Sequence, residues 1–115
     1  MVRLAKVDYD KEYDILYASV GRKVRDSLPI DKFVIDFAEG NDIVGIEILD
    51  ASKIISDLSQ NKLSKEQLGR IEYAKIKIVR SKELVFIVVL LLGKKDKANE
   101  EIKLSISAPI KAVSM

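Results

Sequence analysis

Neither cysteine nor histidine occurs among the 115 residues. Without cysteine there is no disulfide, no zinc–cysteine centre, no iron–sulfur cluster and no thiol nucleophile, which fits a reducing compartment. Without histidine the usual general base near neutral pH and the commonest transition-metal ligand are both missing. Triad hydrolysis and histidine-ligated metal chemistry are thereby excluded in their usual forms. The first ten residues lack the apolar stretch of a secretory leader, since Arg3, Lys6, Asp8 and Asp10 interrupt it. The run Leu84 to Leu92 is nine apolar residues long, about half the ~20 that a membrane-spanning helix needs. The sequence therefore predicts a cytoplasmic protein without a membrane anchor. It assigns no catalytic, metal-binding or cofactor-binding residue.

Apolar residues make up 48% of the chain and charged residues 33%, a composition that suits a soluble globular domain with a charged surface. A chain of this length fits one domain with one core. The many Ile and Lys residues and few Gln resemble a heat-adapted composition. Charge is split along the chain. Residues 1–60 carry 8 Lys/Arg against 12 Asp/Glu (−4) and residues 61–115 carry 12 against 6 (+6), which together give the net +2.

Hydrophobic periodicity predicts strand first. Residues 2–8 alternate loosely, Tyr9-Asp10-Lys11-Glu12 turns the chain, and residues 14–20 return as a second strand closed by Gly21. Pro29 breaks a polar stretch. Phe33, Ile35 and Phe37 then alternate toward Glu39-Gly40-Asn41-Asp42, a hairpin loop whose Gly and Asn tolerate positive φ, and Ile43 to Leu49 is its partner strand. Asp50 or Ser52 is placed to cap a helix in which Ile54, Ile55 and Leu58 share one face, and Ser64 with Gln67 reads as a capping box for a second short helix ended by Gly69. Strand periodicity resumes at Ile71, continues through the run ending at Leu92, read as a strand buried on both faces, and closes with Ile102, Leu104 and Ile106 before Pro109. The predicted fold is α+β. A curled antiparallel sheet of about seven strands carries one or two helices between strands four and five.

Tyr9-Asp10, Asp14-Ile15-Leu16-Tyr17, Ile35-Asp36 and the run from Val44 through Gly45, Glu47 and Asp50 to Ser52 occur in an order and spacing that resembles the family known as domain of unknown function 2283. The resemblance covers roughly residues 4–55. It divides the single domain of residues 1–115 into a family-like meander plus helix, 1–59, and a helix with a three-strand extension, 60–115. The resemblance brings no established activity, and implies an antitoxin-like or partner-binding role. Where the family has a short acidic link between its second and third strands, this chain has Arg22-Lys23-Val24-Arg25-Asp26.

Three clusters of polar residues bear on chemistry. Asp8, Asp10, Glu12 and Asp14 have the alternation of a calcium loop, but Tyr13 stands where that loop needs glycine and Ser19 where it needs a bidentate glutamate. Asp36, Glu47 and Asp50 form a candidate carboxylate cluster for Mg²⁺ if the strands around residues 36 and 47 pair, although the odd spacing of Glu47 and Asp50 points them to opposite faces of an unbroken strand. The alternative roles are a cross-strand ion pair for Glu47 and a helix cap for Asp50. Lys75, Lys77, Lys94, Lys95, Lys97 and Lys103 form a candidate anion-binding set, and lysine also serves as an edge-strand gatekeeper.

Tyr9, Tyr13 and Tyr17 read as core and edge packing residues, with stacking on nucleic-acid bases as the alternative that the nearby acidic residues disfavour by repelling phosphate. The apolar run ending at Leu92 demands cover, either from within the chain or from a second copy, because an exposed strand of that kind aggregates. The reading reached is a non-enzymatic protein-interaction or dimerisation module, a homodimer or a binder of a second protein. Its alternatives are an antitoxin-like or nucleic-acid-associated protein using the basic second half, and a carboxylate-metal hydrolase.

Overall fold

In the computed structural model, residues 2–40, 42–80, 85–94 and 100–109 are described. Eight strands and two helices follow one another as β1 (Val2–Asp10), β2 (Ile15–Ser19), β3 (Asp26–Ile30), β4 (Phe33–Phe37), β5 (Ile43–Ile48), α1 (Ala51–Ser59), α2 (Lys65–Leu68), β6 (Tyr73–Arg80), β7 (Val85–Gly93) and β8 (Ile102–Pro109). All eight strands join one sheet in the order β3-β4-β5-β2-β1-β6-β7-β8, and every neighbouring pair is antiparallel.

The expected α+β class and curled antiparallel sheet are present, with two corrections that share one cause. There are eight strands, not about seven, and the helices follow the fifth strand, not the fourth. The strand missing from the sequence reading is β3, where Pro29 suggests a break. Proline cannot donate to a ladder, but β3 is the terminal strand of the sheet and pairs only with β4, so a missing N–H is tolerated there.

β1 joins the two halves of the sheet. Its residues Lys6 to Asp10 pair with β2, and Val2 to Lys6 pair with β6, so only Lys6 has both neighbours. Such a hand-over lets the sheet curl. One face closes over the core: Ala5, Val7, Leu16, Ala18, Ile35, Ile46, Ile48, Ala74, Ile76, Val88, Leu90, Leu92 and Leu104 are all buried there, with Ala51 and Ile55 of α1 and Leu68 of α2. Each large aliphatic side chain buried this way contributes about 1.5–3 kcal/mol relative to exposure. α1 lies against β8, which carries the helical layer from the first half of the chain to the second.

The apolar run is a strand, β7, but only one of its faces is sealed. Val88, Leu90 and Leu92 are buried, whereas Ile87, Val89 and Leu91 on the other face are half-buried. The expectation of burial on both faces is corrected accordingly, because both helices pack on the core side. Leu84, at the start of the run, lies outside the described residues.

β3, β4 and β5 form consecutive hairpins, after which β5 pairs with β2. The chain between β2 and β3 therefore has to cross the end of the β4–β5 hairpin. It is pinned on both sides, by Val20 N–H donating to Val44 O at 2.9 Å and Arg25 N–H donating to Phe37 O at 2.7 Å.

Candidate functional site

Asp14 closes the β1–β2 turn with φ 55, a left-handed conformation that aspartate tolerates better than most residues. Its carboxylate does not point to solvent. Oδ1 accepts from Tyr9 Oη at 2.6 Å and from Ser52 N at 3.0 Å, and Oδ2 accepts from Ser52 Oγ at 2.6 Å. The backbone of Asp14 also accepts from Ala51 N at 2.8 Å. A residue 38 positions away thus satisfies the first amides of α1. Asp50 does not: it occupies the cap position with φ 49, makes no side-chain cap bond, and is drawn instead to Lys32 Nζ at 2.9 Å. The expected cap by Asp50 or Ser52 is therefore corrected, since Ser52 lies within α1 and gives its hydroxyl to Asp14, while the Ser64–Gln67 capping box of α2 is formed in full. Burial opposes ionisation of Asp14, but the bonds from Ser52 and Tyr9 outweigh it and hold the carboxyl below its ordinary range. Burial, then the bond to Asp14, push the Tyr9 phenol far up.

A second knot lies on the face away from the core. Asp36, only 8% exposed, accepts from Ser27 Oγ at 2.6 Å and from Tyr17 Oη at 2.7 Å, so its two oxygens are divided between β3 and β2. Gly45 on the intervening β5 makes this possible. A Cβ there would stand 2.8 Å from Tyr17 Oη and 2.9 Å from Asp36 Oδ2. Burial, then Asp36, raise the Tyr17 phenol, and Glu47 adds a weaker push from the same face.

Of the candidate carboxylates, Asp36 and Glu47 therefore share a face on adjacent strands, whereas Asp50 stands apart with Lys32. Among the described residues no three acidic side chains are grouped so as to hold a metal ion. In the candidate calcium loop, Asp14 is engaged by Tyr9 and Ser52, and Asp10 accepts from Tyr13 N at 3.1 Å.

The third feature is the outer face of the second half. The register places Val2, Lys77, Val89 and Ser105 in one row across β1, β6, β7 and β8, and Leu4, Lys75, Leu91 and Lys103 in the next. Val79 and Ile87 extend the apolar column beyond them. Val2 is 55% exposed, Leu4 67% and Val79 40%. At one end Tyr73 lies across Gly93, where a Cβ would come within 2.5 Å of the phenol oxygen, and its Oη donates to Glu101 Oε2 at 2.7 Å. Lys75 Nζ reaches the same oxygen at 2.9 Å and sits 5.8 Å from the Tyr73 ring centre. The Lys75 bond, then that of Tyr73, hold the Glu101 carboxyl low.

Of the candidate anion-binding lysines, Lys75 is committed to Glu101, Lys77 and Lys103 are exposed on the outer face, and Lys94 is half-buried at the end of β7. Lys95 and Lys97 lie outside the described residues. Sequence reading missed the pairing of Asp14 with Ser52, the Ser27–Asp36–Tyr17 knot and the Glu101 junction. Two signals for the last two were present, Gly45 within β5 and Gly93 at the end of β7, since a glycine in a strand marks a close approach.

Residues 6–52 match the family model described as Protein of unknown function (DUF2283), so the resemblance read from the sequence holds over the first half, and the strands from β6 onward lie beyond it. The chain is 44% identical over 71 residues to an uncharacterized protein of Methanocaldococcus jannaschii, covering 57% of this chain and 61% of that one. It is 37% identical over 81 residues to a protein of Methanosarcina mazei provisionally named a hypoxanthine phosphoribosyltransferase, covering 70% of this chain and 61% of that one. The chain thus spans about three fifths of the length of the curated relatives it matches. No solved structure matches it. No helix among the described residues is long and apolar enough to cross a membrane.

Proposed function

We propose that this chain, whose first half carries the family pattern, is a non-enzymatic association module that pairs with a second copy of itself through the outer face of β1, β6, β7 and β8. The observation that carries the reading is the column Ile87, Val89 and Leu91, which has no layer of protein packed over it among the described residues, adjoins exposed Val79, and faces exposed Val2 and Leu4 of β1 across Lys75 and Lys77. Apolar residues on two strands, with Lys75 and Lys77 of β6 between them, mark a face where water can be displaced once the lysine stems lie flat.

A second copy is the occupant that fits the face. The surface is the outer side of a curled sheet, and sheets stack face to face about 10 Å apart with interdigitating side chains. Of the two lysines in the middle of the face, Lys75 is already neutralised by Glu101 within the chain. Lys77 and Lys103 have long apolar stems that can cover the patch while their ammonium groups reach the rim. Sedimentation equilibrium across a hundredfold concentration range tests this. A dimer at the upper end supports the reading, and a monomer throughout removes it.

A second reading, nucleic-acid association, is favoured by the placement of Lys77 and Lys103 on that same face with exposed side chains. Ionic strength separates the two. Phosphate contacts weaken steeply as salt rises, whereas apolar self-association does not.

A further inference from the structure

The crossing between β2 and β3 borders an open cavity that neither the association face nor the family pattern explains. The chain leaves β2 at Val20, held to Val44, and re-enters the sheet at Arg25, held to Phe37. Between those pins it bows over the tip of the β4–β5 hairpin, whose closure is fixed by Ala38 N–H donating to Asp42 O at 2.9 Å. Gly21, at φ 87, supplies the left-handed turn that starts the arch. The space left between arch and hairpin is an open cavity of ≈ 400 Å³ lined by Arg22, Lys23, Arg25, Ala38 and Glu39.

Its lining holds the cations Arg22, Lys23 and Arg25 and the carboxylate of Glu39, with Arg22 and Arg25 also engaged within the chain. Arg22 is also oriented: its Nη1 donates to Asp42 Oδ2 at 3.0 Å, and Arg3 Nη2 approaches the same oxygen at 3.4 Å. One guanidinium edge is thus committed to Asp42, and the arch holds Arg22 in place beside the cavity. Ala38, itself buried, is the apolar residue of the lining. A volume of this size lies within the range of small-molecule sites and exceeds what a lone oxyanion fills. Guanidinium groups favour planar, paired recognition of phosphate oxygens. We propose that the arch of residues 20–25 and the β4–β5 tip form a binding site for a small phosphate monoester, its phosphate against Arg22, Lys23 and Arg25 and its organic body over Ala38.

Titration of the ¹⁵N-labelled protein with inorganic phosphate and with phenyl phosphate, at constant ionic strength, tests the assignment. Saturable shifts of the amides of Arg22 to Arg25, Ala38 and Glu39 are expected, with phenyl phosphate tighter than phosphate. Lys23→Ala, which removes a lining cation that holds no pin of the arch, should weaken phenyl phosphate roughly tenfold, as loss of one charge-assisted contact does. Glu39→Gln, which removes the one acidic group of the lining among the described residues, should strengthen it severalfold. A merely structural role for these residues predicts no such gain. Shifts that fail to saturate, shifts reproduced by chloride, or a Glu39→Gln protein that binds no better would overturn the proposal. So would a single-stranded DNA that shifts these amides when phenyl phosphate does not.

Discussion

Asp14 tests whether a carboxylate remote in sequence can hold a helix in place. At neutral pH, Asp14→Asn retains a residue that accepts a left-handed backbone but weakens the bonds from Ser52 and Tyr9. The expected loss is about 1–2 kcal/mol, the range for a helix cap. Because folding lowers the Asp14 pKa, its stabilisation is full above the unfolded value of about 3.9 and is lost as pH falls through the lower folded value. The gap between wild type and Asp14→Asn, measured by urea unfolding, should therefore shrink between pH 5 and strongly acidic solution. A gap that is constant with pH would mean that the carboxylate is not the cause. Gly45→Ala makes a second case at this scale. The new Cβ would displace the Tyr17 hydroxyl and leave the buried Asp36 with one donor fewer, at a cost of about 1–3 kcal/mol. Tyr17→Phe removes the same bond, so the double variant should lose clearly less than the two single losses combined. Additivity in that cycle would show that Gly45 matters for some reason other than this bond.

At the scale of elements, strands with strict alternation were legible because Leu16, Ala18, Ile46 and Ile48 repeat every second residue, and one face of each is sealed by the core. The capping box at Ser64 was legible because both partners lie within one turn. β3 was not, since an edge strand needs only one competent ladder and so accepts Pro29, with Asp26 and Ser27 exposed. The cap of α1 was not legible either. The local candidate Asp50 is turned away by its own positive φ, and the residue that performs the task is brought in by the β1–β2 turn. Asp50→Gly follows from this. It relieves the left-handed backbone and loses only an exposed ion pair with Lys32, worth little in water. Thermal unfolding should show it neutral or slightly stabilised, in contrast to Asp14→Asn. A drop of several degrees would restore Asp50 to the capping role.

At the scale of the molecule, the curl of the sheet decides which surfaces remain. Both helices enter the concave side, so the core is complete and the outer face of β6, β7 and β8 is left with Ile87, Val89 and Leu91. Four strands spaced about 4.8 Å apart, with three or four outward residues each, cover roughly 15 by 20 Å. That is smaller than the ~800 Å² per partner of a standard stable interface, so self-association through this face should be weak, in the micromolar range or above. Val89→Glu places a carboxylate at the centre of the patch. On the free chain it meets water and the neighbouring Lys77, so the fold should persist by circular dichroism. In the dimer the two-fold axis would bring two such carboxylates into a desolvated contact, and sedimentation should show monomer only. Raising sodium chloride should strengthen the wild-type dimer, because it screens the repulsion between the Lys77 and Lys103 side chains of the two copies while leaving apolar burial intact. A dimer that survives Val89→Glu, or one that dissolves as salt rises, would place the contact elsewhere on the molecule.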